Sequence, residues 1–90
     1  MTHITPDEIE RGSQTPGFLK QCALDMGVAV EDLRGYSREQ PLARYRQLVM
    51  WKMRQAGFSY TQIGRSLRRD HTTAIYGTRR IQEIMDRGEL

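Results

Sequence analysis

Apolar residues recur at helical spacing in three stretches of this chain. In the first, Phe18, Cys22 and Met26 stand at i, i+4 and i+8 with Leu19 and Ala23 beside them, which makes one buried stripe. Thr15-Pro16 supplies a cap followed by a proline at the first helical position, so a helix is expected from there to about Met26, with Gly27 as its C′ residue. A short segment over 28–33 offers Val28, Val30 and Leu33 to the core and ends at Gly35. In the second stretch Leu42, Tyr45, Val49, Met53 and Ala56, with Leu48, form the stripe of a long helix from Gln40 or Pro41 to Ala56, stopped by Gly57. Arg44, Gln47, Arg54 and Gln55 lie off that stripe, and Trp51 at its edge is expected to pack in part rather than to stack on a base. In the third, Ala74, Thr78, Ile81 and Met85 share a face flanked by Gly77 and Ile84, while Thr72, Tyr76 and Arg79 point the other way and Thr73 and Arg80 lie on a flank.

Between the second and third stretches the polar residues mark two helix starts. Ser59 is a good N-cap, and Gln62 three residues on completes a capping box, so a short helix begins near Tyr60. Asp70 is a second N-cap candidate, and only Arg68 and Arg69 are left for the turn between the two helices. Two helices joined so tightly make a helix-turn-helix over about 59–87, whose second helix presents its first turn outward. The expected fold class is therefore all-α: one small helical domain over 15–90 behind a polar tail, 1–14, with weak local structure.

Charge sharpens this picture. Residues 37–80 carry ten Lys/Arg against Glu39 and Asp70, a net +8, while 1–36 sum to −3 and 81–90 to −2. A basic block between acidic ends points to a polyanion met on one surface. An ordinary solvated helix face is the alternative for such charges, and fits a more even scatter better. Cys22 is the only cysteine, so no disulfide framework and no cysteine-based metal site is expected, and its place on the apolar stripe suits a small core residue. His3 and His71 have no partners at ligand spacing, and no glycine-rich phosphate loop or activated nucleophile is present, so neither enzyme activity, cofactor nor metal is expected. No apolar run approaches the roughly 20 residues of a membrane span, and the first residues do not begin a signal peptide, which predicts a cytoplasmic, nucleoid-associated protein.

The first turn of the second helix carries the candidate chemistry. The imidazole of His71 can donate to or accept from a base edge, the Thr72 methyl can pack on a thymine methyl, and Asp70 can accept from a cytosine amino group unless capping consumes it. Arg69-Asp70-His71-Thr72-Thr73 followed by Arg79-Arg80-Ile81 closely resembles the signature of the C-terminal DNA-binding domain of DnaA, the bacterial replication initiator. Upstream, Ala43-Arg44-Tyr45-Arg46-Gln47 resembles the Ala-Arg-Pro-Arg-Gln that opens the long helix of that family, so the resemblance runs from about Pro16 to Met85. The family's ATPase module has no counterpart, and a stand-alone, DnaA C-terminal-domain-like (Trp-repressor-like) domain of bacterial or phage origin is expected.

The resemblance implies a set of contacts on double-stranded DNA, made as a monomer at an A/T-rich, DnaA-box-like site. Asp70, His71 and Thr72 read bases in the major groove and Arg38, in the loop before the long helix, enters the minor groove. Arg46, Gln47, Arg54, Arg68, Arg69, Thr73 and Tyr76 grip phosphates. Three departures from the family stand out: one residue fewer before the helix-turn-helix, Arg68 where the family has glycines in the turn, and Thr61 in place of a proline. The implied role is regulation of replication initiation or transcription. An interaction module docking on a replication or transcription protein is the alternative.

Overall fold

The computed structural model describes residues 17–35 and 41–89, and within them the chain is helical with no strand. Five helical segments follow one another: α1 (17–26), α2 (Val30–Arg34), α3 (Leu42–Gln55), α4 (Tyr60–Ser66) and α5 (His71–Asp86). The tail 1–14, the Thr15-Pro16 cap and the loop with Arg38 lie outside the described residues.

The helix ends follow from local chemistry. Ser59 Oγ accepts from the Gln62 amide at 3.1 Å while Gln62 Oε1 accepts from the Ser59 amide at 2.8 Å, so both halves of the capping box form. At the end of α1 the Val28 amide donates to Ala23 and the Gly27 amide to Leu24, with Gly27 at φ +73°. At the end of α3 the Phe58 amide donates to Met53 and the Gly57 amide to Arg54, with Gly57 at φ +98°. Both are Schellman turns, which need a left-handed residue at C′ and suit glycine there. α4 ends in the same way: the Arg69 amide donates to Gly64 at 2.7 Å and the Arg68 amide to Arg65 at 3.2 Å. Here the left-handed position, φ +57°, is held by Arg68. A turn without glycine therefore forms, with the strain placed on an arginine.

The core gathers one face of every helix. Leu19, Cys22 and Ala23 of α1, Leu33 of α2, Val49, Met50 and Met53 of α3, Ile63 and Leu67 around α4, and Ala74 of α5 pack with Phe58 into one cluster. Phe18 meets Phe58 edge to face, centroids 5.5 Å apart, which ties α1 to the corner after α3. α5 packs chiefly against α3 and α4 and buries Ala74, Gly77, Thr78, Ile81 and Ile84, close to the expected stripe. Two positions on α3 differ from expectation. Ala56 is exposed, because it sits at the C-cap where the Schellman turn swings the chain away. Arg46, which the resemblance gives to a phosphate, is buried. Trp51 is half-buried, its indole N–H donating to Gln82 Oε1 at 3.0 Å across α3 and α5.

Three guanidinium groups lock α2 to the rest. Arg46 Nε donates to the Leu33 carbonyl at 2.7 Å and a terminal nitrogen to Asp32 at 3.2 Å. Arg69, from the turn, donates to the carbonyls of Arg34 (3.0 Å), Leu67 (2.8 Å) and Gly35. Arg34 Nε answers with a bond to the Ser66 carbonyl at 2.9 Å. The carbonyls at a helix C-terminus lack intrahelical donors and carry partial negative charge, so cations satisfy them well. The consequence is positional: the end of α2 and the helix-turn-helix turn are held together.

Candidate nucleic-acid interface

α5 presents its first two turns to solvent. Asp70, His71, Thr72, Thr73, Tyr76 and Arg79 are exposed, while Ala74, Gly77 and Thr78 on the opposite face are buried. Tyr76 is 66% exposed, a large aromatic ring left uncovered beside the helix start. The sequence pattern that put apolar residues on one face of α5 thus delivers a polar, hydrogen-bonding face on the other.

Asp70 occupies the N-cap position, but its carboxylate makes no side-chain capping bond to the second or third amide of the helix. One oxygen lies 3.0 Å from His71 Nδ1 and the other accepts the Thr72 hydroxyl at 3.0 Å. The Thr72 hydroxyl first, and then the His71 amide and imidazole, hold the Asp70 carboxyl below the usual carboxylate range. The three residues expected to read bases therefore form one connected group on an exposed helix start.

Beside it lies a pocket of about 130 Å³ between α3 and α5, lined by Ala43, Arg46, Gln47 and Met50 on one side, Thr73, Tyr76 and Gly77 on the other, and Arg69 from the turn. Gly77 lets the two helices approach here: a β-carbon there would overlap Met50 Sδ and come within 3.4 Å of Gln47 Cγ. Five of the expected phosphate ligands, Arg46, Gln47, Arg69, Thr73 and Tyr76, meet around this one pocket. Burial, and then the charge of Arg69, lowers the pKa of Arg46.

Not every expected ligand is placed as a surface group. Arg46 lies at the floor of the pocket: it is 7% exposed and its guanidinium is engaged by the α2 carbonyls. Arg69 is half-buried and engaged likewise. Arg54 is exposed but stacks its guanidinium 4.4 Å from the Tyr60 ring centre and donates to the Phe58 carbonyl at 3.1 Å, away from the pocket residues in sequence and in contact. Arg68 is exposed at the tip of the turn. Arg38 lies outside the described residues.

Sequence reasoning missed Arg44, whose terminal nitrogen donates to Gln47 Oε1 at 3.3 Å and orients the Gln47 amide at the pocket. The i, i+3 spacing on α3 was the available signal. It also missed Gly64 and Gly77, whose lack of a side chain sets how closely α4 and α3 approach the site. Among the described residues no group of three or more His, Cys, Asp or Glu is placed to hold a metal ion, and no helix is long and apolar enough to cross a membrane.

Comparison with known proteins meets this geometry. The model of the family described as bacterial dnaA protein helix-turn-helix matches residues 19–81, which spans α1 to the middle of α5. The matched segment is a helix-turn-helix, not a catalytic module. The chromosomal replication initiator protein DnaA of Gloeothece citriformis is 38% identical over 79 residues, 84% of this chain and 17% of that protein. Those of Picosynechococcus sp. and Nostoc punctiforme are 32% and 31% identical over 84 and 83 residues, each covering 90% of this chain and 19% and 18% of the relative. The chain thus spans about a fifth of the length of these curated relatives.

Proposed function

This chain belongs to the bacterial DnaA helix-turn-helix family, and from that premise we propose that it binds double-stranded DNA sequence-specifically, as a monomer, at A/T-rich DnaA-box-like sites. The observation that carries the reading is the juxtaposition at the start of α5: an exposed Asp70–His71–Thr72 group beside a pocket with two guanidinium groups. On this reading His71 and Thr72 of the first turn enter the major groove, with Asp70 among them, and Arg38 enters the minor groove. Gln47, Thr73 and Tyr76 hold a backbone phosphate at the mouth of the pocket, and Arg46 and Arg69 supply positive potential from its floor. Arg54 and Arg68 meet flanking phosphates. Phosphate contacts set register and affinity, and base contacts set the preferred sequence.

Occupancy of initiator-type boxes gives such a domain a regulatory role, by competing at those boxes in replication initiation or by acting as a transcription factor at a related site. Fluorescence anisotropy of a duplex carrying a DnaA-type box against a scrambled duplex, at two salt concentrations, tests the reading. Selective binding is expected, with a log–log salt slope near about −5 to −6 for roughly five to seven phosphate contacts. No binding to either duplex at low salt would overturn it and favour docking on a replication or transcription protein.

A further inference from the structure

Resting on that reading, we infer that Asp70 is a positioning residue: it fixes the His71 imidazole and the Thr72 hydroxyl so that both present hydrogen-bond acceptors to the major groove, suited to the exocyclic amino group of an adenine or a cytosine. Asp70 leaves its capping role unfilled. It stands at the N-cap, yet its carboxylate makes no side-chain capping bond to the second or third amide. Each oxygen instead takes a side-chain partner, His71 Nδ1 at 3.0 Å and Thr72 Oγ1 at 3.0 Å.

An ionised carboxylate only accepts hydrogen bonds. The nitrogen facing it must therefore carry a proton, which sets neutral His71 as the Nδ1–H tautomer with a lone pair on Nε2. The Thr72 hydroxyl directs its single proton at Asp70 in the same way and turns its lone pairs outward. These tautomer and rotor states follow from the pairing of donors with acceptors. That Asp70 stays ionised further into acid than a usual carboxylate agrees with this arrangement. Adenine N6 and cytosine N4 are the amino donors of the major groove, so the fixed acceptor pair discriminates against bases offering only acceptors there. With Asp70 removed, both side chains rotate freely, and either can donate as readily as accept.

The test is a double-mutant cycle on the full chain, scored as the ratio of affinities for box and scrambled duplexes, with Asp70→Ala, His71→Ala, their combination and Asp70→Asn. His71→Ala is expected to lower the ratio roughly 5- to 150-fold, the range for one good base contact. Asp70→Ala is expected to lower it comparably, the double variant to fall well short of the product of the two losses, and Asp70→Asn, which keeps an acceptor, to retain most of the ratio. Long-range nitrogen–proton spectra of the imidazole in the free protein should show the Nδ1–H form in the parent and the Nε2–H form in Asp70→Ala. That readout does not depend on DNA, and a merely structural role for Asp70 would not move it. Losses that multiply in the double variant, or an unchanged tautomer in Asp70→Ala, would overturn the inference while leaving base reading by His71 in place. An unchanged ratio in His71→Ala would remove the reading itself and this inference with it.

Discussion

The carbonyl oxygen of Arg69 lies over the α-carbon of Gly64, 2.6 Å from where a β-carbon would stand. The Asp70 carbonyl carbon and oxygen follow at 3.2 Å, and the Arg69 amide closes the approach with its 2.7 Å bond to the Gly64 carbonyl. This is backbone against backbone, so no side chain can swing aside to make room. Gly64→Ala is expected to destabilise the protein by about 1–3 kcal/mol, although alanine is the better helix former by about 1 kcal/mol. Urea denaturation measures it, and a midpoint equal to or above that of the parent would contradict the close approach. Because the displaced atoms begin α5, box affinity should fall as well.

Arg68 supplies the opposite case. It sits at φ +57°, in the C′ position that glycine fills at the ends of α1 and α3. A left-handed residue with a β-carbon costs roughly 1–2 kcal/mol. Arg68→Gly is therefore expected to raise stability by about 1 kcal/mol in the same urea experiment, after allowing for the freer unfolded chain. If Arg68 also meets a phosphate, DNA affinity falls for box and scrambled duplexes alike and the salt slope becomes shallower by about one. A variant that is no more stable would show that the turn carries no strain there.

Arg46→Ala should act first on stability. The substitution leaves the Leu33 and Asp32 carbonyls without their charged donor, in a place where Arg46 is 7% exposed. Hydrogen bonds from a charged group are worth about 1.5–3 kcal/mol each, so a loss of about 2–4 kcal/mol is expected. Thermal unfolding reads it. A variant with unchanged stability but weaker DNA binding would return Arg46 to the role of a surface ligand.

Cys22 is a core residue, 5% exposed, and burial raises its thiol pKa. A raised folded-state pKa means that the contribution to stability is fully present below the unfolded thiol value of about 8.5 and is lost as pH climbs through the higher folded value. At pH 8 alkylation by iodoacetamide is expected to be slow in buffer and fast in denaturing urea. Fast labelling of the folded protein would place the thiol at the surface.

How much of this was legible in the sequence depended on how local the cause was. Ser59 with Gln62, Gly27 and Gly57 mark helix ends through bonds spanning a few residues, and the pattern found them. The helix-turn-helix and the outward face of α5 were legible for the same reason. The burial of Arg46 was not legible because its partners are carbonyls 13 and 14 residues away, which no local pattern reveals. The close approaches at Gly64 and Gly77 were not legible because they lie in what would collide with a side chain there, which requires two packed helices. At Asp70 the cap position was legible but not its bonding, since two neighbouring side chains take the carboxylate that the cap rule assigns to backbone amides.

On the proposed reading, the first turns of α5 and the pocket beside them form the DNA surface. Titrating the isotopically labelled protein with a DnaA-type box duplex, and following backbone amide and arginine side-chain resonances, maps that surface. The largest shifts are expected over residues 70–76 and 43–47 and at the Arg69 guanidinium, with residues 17–26 of α1 nearly unmoved. Shifts centred on α1, or absent from 70–76 while binding proceeds, would contradict it.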